Sequence, residues 1–126
     1  MKKTDRARIT ASFDCGLQIL ADVPAFYFGT SPNKFFDFIS AGLPVVTNYP
    51  GWLAGFISGH QCGIAVPPSE PVALAGALCR LADNPDERHA MGGRARRLAE
   101  TEFTRSILAE RFVALLEETN ATSAPR

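Results

Sequence analysis

Ser31-Pro32-Asn33-Lys34-Phe35-Phe36-Asp37-Phe38-Ile39-Ser40-Ala41-Gly42-Leu43-Pro44-Val45-Val46 is the stretch that decides the fold. It carries helix-start and helix-stop signals and then runs straight into a buried strand. Ser31 suits an N-cap, because its hydroxyl accepts an orphan backbone N–H of the first turn. Pro32 then falls at the first helical position, where its missing N–H costs nothing. Gly42 can take the left-handed conformation that closes a helix, and Pro44 blocks continuation. The expected helix runs from Pro32 to Ala41, about 15 Å long. Phe35, Phe38, Ile39 and Gly42 recur at helical spacing and give an apolar stripe for the core. Asn33, Asp37 and Ser40 give a polar stripe, with Lys34 beside Asp37. A polar stripe near an exposed helix N-terminus can hold a phosphate on backbone N–H groups and use a carboxylate for hydroxyls. The same spacing describes an ordinary amphipathic helix with a solvated face, and spacing alone favours that reading.

On the N-terminal side, residues 3 to 12 can form a short helix, and Cys15 to Leu20 reads as a mostly apolar strand. Ala21 to Thr30 is an aromatic loop leading into the central helix. On the C-terminal side, Leu43 to Thr47 is a continuous apolar run with two β-branched valines, as expected of a strand buried on both faces. Pro50-Gly51 marks a turn, and Trp52 to Ser58 a short helix. Gly63 to Val66 is a third strand, ended by Pro67-Pro68. Ser69 is expected to cap a helix whose inner face is Leu74, Leu78 and Leu81. Asn84-Pro85-Asp86-Glu87 starts the next helix, with a break expected at Gly92-Gly93. Thr104 is expected to cap the last helix, with Phe103 stapled on Leu108 and an apolar face of Ile107, Leu108, Phe112, Leu115 and Leu116. The folded part is expected over residues 1–118, with 119–126 a disordered tail.

Strands alternating with helices imply right-handed βαβ units. The expected fold is therefore α/β, a Rossmann-like three-layer parallel sheet with helices on both faces. Three strands are few for a freestanding sheet of this kind. Ligands bind such sheets beyond the carboxyl ends of the strands. The loop before Ser31, the turn at Tyr49 to Trp52 and the start of the central helix all belong to that end.

Composition narrows the function classes. The 126 residues are 46% hydrophobic and 21% charged, ordinary for a globular domain. Lys plus Arg and Asp plus Glu are 13 each, so no overall field recommends nucleic acid or a membrane as partner. Cys15, Cys62 and Cys79 lack metal or redox spacing and read as reduced, buried thiols of a cytoplasmic protein. Met1-Lys2-Lys3-Thr4 is followed by Asp5, Arg6 and Arg8 where a signal peptide needs an apolar core. No apolar run has the length to span a bilayer. Arg94, Arg96 and Arg97 could at most meet acidic headgroups peripherally at the inner membrane face, and a solvated helix face is the simpler reading.

The central stretch through Thr47 resembles the donor-site signature of GT-B fold, nucleotide-sugar-dependent glycosyltransferases. The nearest group is the retaining "group 1" transferases that build bacterial surface polysaccharides and lipopolysaccharide. Asp14-Cys15-Gly16-Leu17 resembles the strand before the motif, and Asn48-Tyr49-Pro50-Gly51-Trp52 the turn after it. Gly63-Ile64-Ala65-Val66-Pro67-Pro68 and Asn84-Pro85 continue the pattern in order. The resemblance implies that the helix N-terminal turn at Ser31, Asn33 and Lys34 holds the donor diphosphate. It also implies that Asp37 binds ribose hydroxyls, a task suited to a carboxylate that can accept two hydrogen bonds. Gly29, Tyr49, Gly51 and Trp52 are further candidates for lining the pocket.

The pattern also departs from the family. Many relatives carry a sugar-contacting glutamate where this chain has Gly29, so no catalytic residue is assigned. Neither cofactor nor metal is expected, because helix dipole and cations can offset diphosphate charge, and His60 and His89 stand apart from any acidic cluster. The resemblance covers only the later part of a C-terminal, donor-binding domain. It implies a partial GT-B domain that is inactive without an acceptor-binding domain. Association with such a domain, or self-association through the last helix, is the expected partnership besides the nucleotide-sugar donor. The competing reading is a non-catalytic α/β nucleotide-binding or interaction module.

Overall fold

The structure is a computed structural model and describes residues 2–123. In chain order the elements are α1 (Lys3–Thr10), β1 (Gly16–Gln18), a 3-10 turn (Pro24–Phe26), α2 (Asn33–Ser40), β2 (Val45–Thr47), α3 (Trp52–Gly59), β3 (Gly63–Ala65), α4 (Pro71–Asp83), α5 (Pro85–Glu102) and α6 (Arg105–Thr122). The three strands form one parallel sheet in the order β1-β2-β3. Gly16 pairs with Val45 and Gln18 with Thr47, and Val45 in turn pairs with Gly63. This is the expected three-layer α/β architecture.

The middle strand explains the layers. All three residues of β2 are buried, and its alternation sends neighbouring side chains to opposite faces. Val45 joins Phe35, Ile39, Leu53, Ile57 and Leu98 in the larger core, built from α2, α3 and α5. Val46 joins Ala77, Leu81 and Met91 in the smaller one, under α4. Fully burying one such aliphatic or aromatic side chain contributes about 1.5–3 kcal/mol, so β2 is the hinge of both cores.

Several local expectations are corrected. Pro32, not Ser31, is the N-cap of α2; it is extended at ψ 132° and no side chain caps the helix. The restriction that proline places on its predecessor keeps Ser31 outside the first turn. Ser69 is not the cap of α4 either. Glu70 holds that position, while Ser69 turns left-handed at φ 58° and spends its hydroxyl elsewhere. Asn84 does precede Pro85 as expected, but its side-chain amide donates back to Arg80 O at 2.8 Å instead of capping α5.

The expected break at Gly92-Gly93 is absent: α5 is continuous through both. Gly92 is buried, and a Cβ on it would lie 2.2 Å from the carbonyl oxygen of Gly42. The glycine is there so that α5 can press on the C-terminal end of α2, where Gly42 closes the helix at φ 74° as expected. Phe103 packs edge-on against Phe36 and Phe56, with ring centroids at 5.2 and 5.7 Å. Thr104 does cap α6, accepting from Ile107 N–H at 3.3 Å. The tail expected from residue 119 is helical to Thr122; residues 124–126 lie outside the described residues. All three cysteines are free, but only Cys62 is buried; Cys15 is half-buried and Cys79, on the outward side of α4, is exposed.

Candidate functional site

The loops that leave the carboxyl ends of the strands are tied to one another. Asn48, directly after β2, holds the chain leaving β1 from both sides: Leu20 N–H donates to Asn48 Oδ1 at 2.8 Å, and Asn48 Nδ2 donates to Leu20 O at 2.9 Å. Two residues on, the Asp22 carboxylate accepts the hydroxyls of Tyr27 and of Ser69, the latter at 2.8 Å. Ser69 belongs to the segment after β3, so this carboxylate joins the outer two loops. The hydrogen bonds hold Asp22 below the usual carboxylate range and push the Tyr27 phenol up to about 12, because its proton is held by the neighbouring charge.

The N-terminus of α2 opens at this end of the sheet. Phe35 N–H turns back to Pro32 O at 3.0 Å. The N–H groups of Asn33 and Lys34 are then among those a helix leaves for an outside partner. Asn33 and Lys34 open this turn, Ser31 lies just before its proline cap, and all three are exposed. Together with the helix dipole, an exposed lysine beside free N–H groups makes an anion-binding arrangement.

Asp37 lies one turn further along α2 and faces a different neighbour. Arg6 Nη2 of α1 stands 3.9 Å from its carboxylate, and both side chains are about half exposed. A pair so exposed contributes about 0–1 kcal/mol and does not lock the carboxylate. Asp37, Ser40, Arg6, Lys3, Thr10 and Arg96 border a cavity of about 480 Å³ between α1, α2 and α5. The structure thus brings Ser31, Asn33 and Lys34 together and sets Asp37 beside them on the flank toward α1.

The remaining candidates divide further. Tyr49 is 1% exposed and belongs to the core, with its ring stacked on Tyr27 at 6.3 Å, so its side chain does not line an open pocket. Burial pushes its phenol upward. Gly51 is needed where it is: its φ is 124°, and a Cβ there would lie 2.3 Å from Tyr27 O. It carries the turn beneath the aromatic loop. Trp52 is 37% exposed, meets Phe35 and Phe56 edge-on, and donates Nε1–H to Thr30 O at 3.0 Å. That bond fixes the last residue of the loop that delivers the chain to α2. Gly29 is exposed. Of the loop aromatics, Tyr27 is core, whereas Phe26 and Phe28 are 59% and 74% exposed.

Asp22, Asn48 and Ser69 were not among the sequence-derived candidates. The only signal for Asn48 is a short amide residue at a strand end, and for Asp22 an acid just before a proline turn. Among the described residues no helix is long and apolar enough to cross a membrane.

Comparison with known proteins bears on the fold alone. No family model matches the sequence, and no curated protein matches it. Among solved structures, 86% of the chain superposes on a sucrose-phosphate synthase from Thermosynechococcus elongatus with a TM-score of 0.69 and 21% identity. The matched part is 26% of that chain, so this protein spans about a quarter of its length. The fold is that of a GT-B-like partial domain.

Proposed function

We propose that this chain is the donor-binding part of a glycosyltransferase. The complete activity would move a sugar from a nucleotide-diphosphate donor to a lipid-linked or glycan hydroxyl in polysaccharide or lipopolysaccharide assembly of the bacterial surface type. The observation that carries this reading is the exposed N-terminal turn of α2, with Asn33 and Lys34, at the carboxyl edge of a parallel sheet in a GT-B-like fold. In this role the backbone N–H groups of the turn and the Lys34 ammonium bind the diphosphate and offset its charge as the bond to the sugar breaks. Asp37 accepts the ribose hydroxyls, exchanging its weak pair with Arg6 for two charge-assisted hydrogen bonds. Ser31 and Trp52 border the entry, the latter through its hold on Thr30. No metal is required, and acceptor positioning comes from a separate acceptor-binding domain. The setting is the cytoplasm, at the inner face of the membrane when the acceptor is lipid-linked.

A second reading, a nucleotide-binding or interaction module without transfer activity, draws on one observation. The chain spans only about a quarter of the neighbouring synthase, and none of its residues is assigned to the chemical step. One titration separates either from no ligand role at all. Nucleoside diphosphates and their sugar conjugates are added to isotope-labelled protein while amide shifts are followed. Shifts centred on Asn33, Lys34 and Asp37 are expected. Their absence at millimolar ligand removes the donor-site reading, and an Asp37→Ala variant that binds as well as the parent removes the ribose role. Turnover by the chain alone, without any added acceptor domain, would contradict the partial-enzyme view.

A further inference from the structure

α2 is a ruler for a ligand that starts at its N-terminus. Asn33 and Lys34 open the helix, Asp37 follows one turn on, and Ser40 and Ala41 close it about one turn beyond that. Each turn advances the chain by about 5.4 Å. A diphosphate on the first turn and a ribose on Asp37 carry the base to the last turn. There a cavity of about 480 Å³ lies between α1, α2 and α5, lined by Asp37, Ser40 and Ala41 among others. Its volume is that of a small-molecule site.

The side chains around this cavity offer mostly donors. Lys3, Arg6 and Arg96 bring cations to it, and ammonium and guanidinium groups have nothing to accept with. Among the described residues lining the cavity, Asp37 is the one carboxylate, and the ribose takes it. Arg96 is held in position, with Nε on Glu100 at 2.6 Å and Nη1 on Ser40 O, which leaves Nη2 to donate. Arg6 stands 3.9 Å from Asp37 and is released to donate elsewhere when ribose hydroxyls arrive. Thr10 spends its hydroxyl proton on Arg6 O at 2.9 Å, so its oxygen can only accept.

We propose that this cavity selects a uracil base, which makes the donor a uridine diphosphate sugar; the proposal rests on the donor-site reading of Asn33, Lys34 and Asp37. Uracil presents two carbonyl oxygens and one N–H between them, the complement of two guanidinium groups and one accepting hydroxyl. The carbonyl beside the ribose falls to Arg6, the N–H to Thr10, and the distal carbonyl to Arg96 at the Ser40 end. Cytosine carries an amine in place of the distal carbonyl, so its N–H donors face the Arg96 cation without an acceptor. Guanine and adenine likewise bring amines to a wall of cations. Polar groups left unpaired on both sides are what let a hydrogen-bonding site reject a near isostere. Thymine matches the cavity, but thymidine lacks the 2′-hydroxyl and gives Asp37 one bond in place of two.

Calorimetric titration of the full chain with the four ribonucleoside diphosphates tests this. Uridine diphosphate should bind at least about tenfold more tightly than cytidine diphosphate, with the two purine nucleotides weaker again. In amide spectra, inorganic pyrophosphate should shift Asn33 and Lys34 alone, whereas uridine diphosphate should also shift Arg6 and Thr10 in α1 and Ser40 at the end of α2. Arg96→Gln alters a side chain that is 57% exposed and puts an amide, able to donate or accept, where only donors stood. Its far-UV dichroism spectrum should be unchanged, and its preference for uridine over cytidine diphosphate should fall to about threefold or less. Equal affinity for all four nucleotides, with shifts at Asn33 and Lys34, overturns the proposal and leaves the donor site standing. Uridine diphosphate shifts that never reach α1 do the same, as does an Arg96→Gln chain that keeps the parent's preference. No shift at Asn33 and Lys34 from any nucleotide or from pyrophosphate removes the donor site and this proposal together.

Discussion

Adjacent glycines in α5 should respond to alanine with opposite signs. At Gly93 an added methyl meets nothing within 4 Å, and the position is exposed within a helix. Replacing glycine by alanine there should stabilise the protein by about 1 kcal/mol, through the lower backbone entropy of the unfolded chain. At Gly92 the same helix gain is available, but the methyl would lie 2.2 Å from Gly42 O and 3.3 Å from Gly42 C. The obstructing atom is backbone, and it belongs to a residue held at φ 74°, so it cannot swing aside. Separating the two helices by about 1 Å costs roughly 2–3 kcal/mol as overpacking. The net for Gly92→Ala is a loss of about 1–2 kcal/mol, and the two variants should differ by about 2–3 kcal/mol. Urea unfolding followed by far-UV circular dichroism resolves that gap, which corresponds to about 8–12 °C between their midpoints on heating. Because α5 bears on the end of α2, Gly92→Ala should also perturb the amide signals of Asn33 and Lys34, whereas Gly93→Ala should not. If both variants are stabilised, the close approach of Gly92 to Gly42 is not a feature of the folded protein. If Gly93→Ala is strongly destabilised, the helix does break there.

Other outcomes follow from the same structure. Among the described residues, Gln18 Oε1, Thr47 Oγ1 and Tyr49 OH are buried close together without a hydrogen bond of good geometry, so Tyr49→Phe should change stability by no more than about 1 kcal/mol. Phe35→Ala, by contrast, at a position with no exposure, should cost about 3–5 kcal/mol in the same unfolding assay. Spectrophotometric titration should find neither tyrosine ionising near its ordinary value: Tyr27 is pushed up to about 12 and Tyr49 upward as well. A raised folded pKa means that the contribution of Tyr27 is complete below about pH 10 and lost as the pH climbs toward about 12. Asp22→Asn should bring the Tyr27 midpoint down. Asp22 itself has a lowered folded pKa, so its contribution is present above about pH 4 and lost as the pH falls through the folded value; the acid limb of the stability curve should be shallower in Asp22→Asn. Lys34→Ala should weaken nucleoside diphosphate binding about three- to tenfold, more at low salt than at high, and leave binding of the uncharged nucleoside unchanged.

What could be read from the chain and what could not differ in range. Val45, Val46, Gly42 and Pro44 announce a buried strand after a closed helix, because β-branching, positive φ and a missing N–H act within a few residues. The alternation of strands and helices then fixes the parallel sheet and its carboxyl edge, and with it the neighbourhood of Asn33 and Lys34. Ser69 was misread because its left-handed turn depends on Asp22, 47 residues away, and no local pattern encodes that partner. Gly92-Gly93 looks like a helix breaker until the carbonyl of Gly42 is placed against it. The apolar residues of α6 were legible as apolar, but periodicity does not say what covers them. At the candidate site, the family pattern distinguished Asp37 from its neighbours, while its pairing with Arg6 needed α1 to be folded back along α2.

The double clasp of Asn48 on Leu20 bears on the energetics of the loop that precedes α2. By hydrogen-bonding both the N–H and the C=O of Leu20, one side chain does for the chain leaving β1 what another strand residue would have done. The segment free to wander then begins after Leu20 and is stopped again at Thr30 by Trp52. Closure entropy grows only with the logarithm of loop length, but ordering costs about 1–2 kcal/mol for each residue that must be fixed. Every residue held in advance by Asn48, Asp22 or Trp52 is one that a ligand arriving at Asn33 and Lys34 does not have to immobilise. Removing the Asn48 amide should therefore weaken ligand capture from a distance, without touching the ligand, by lengthening the stretch of chain that must fall quiet on binding.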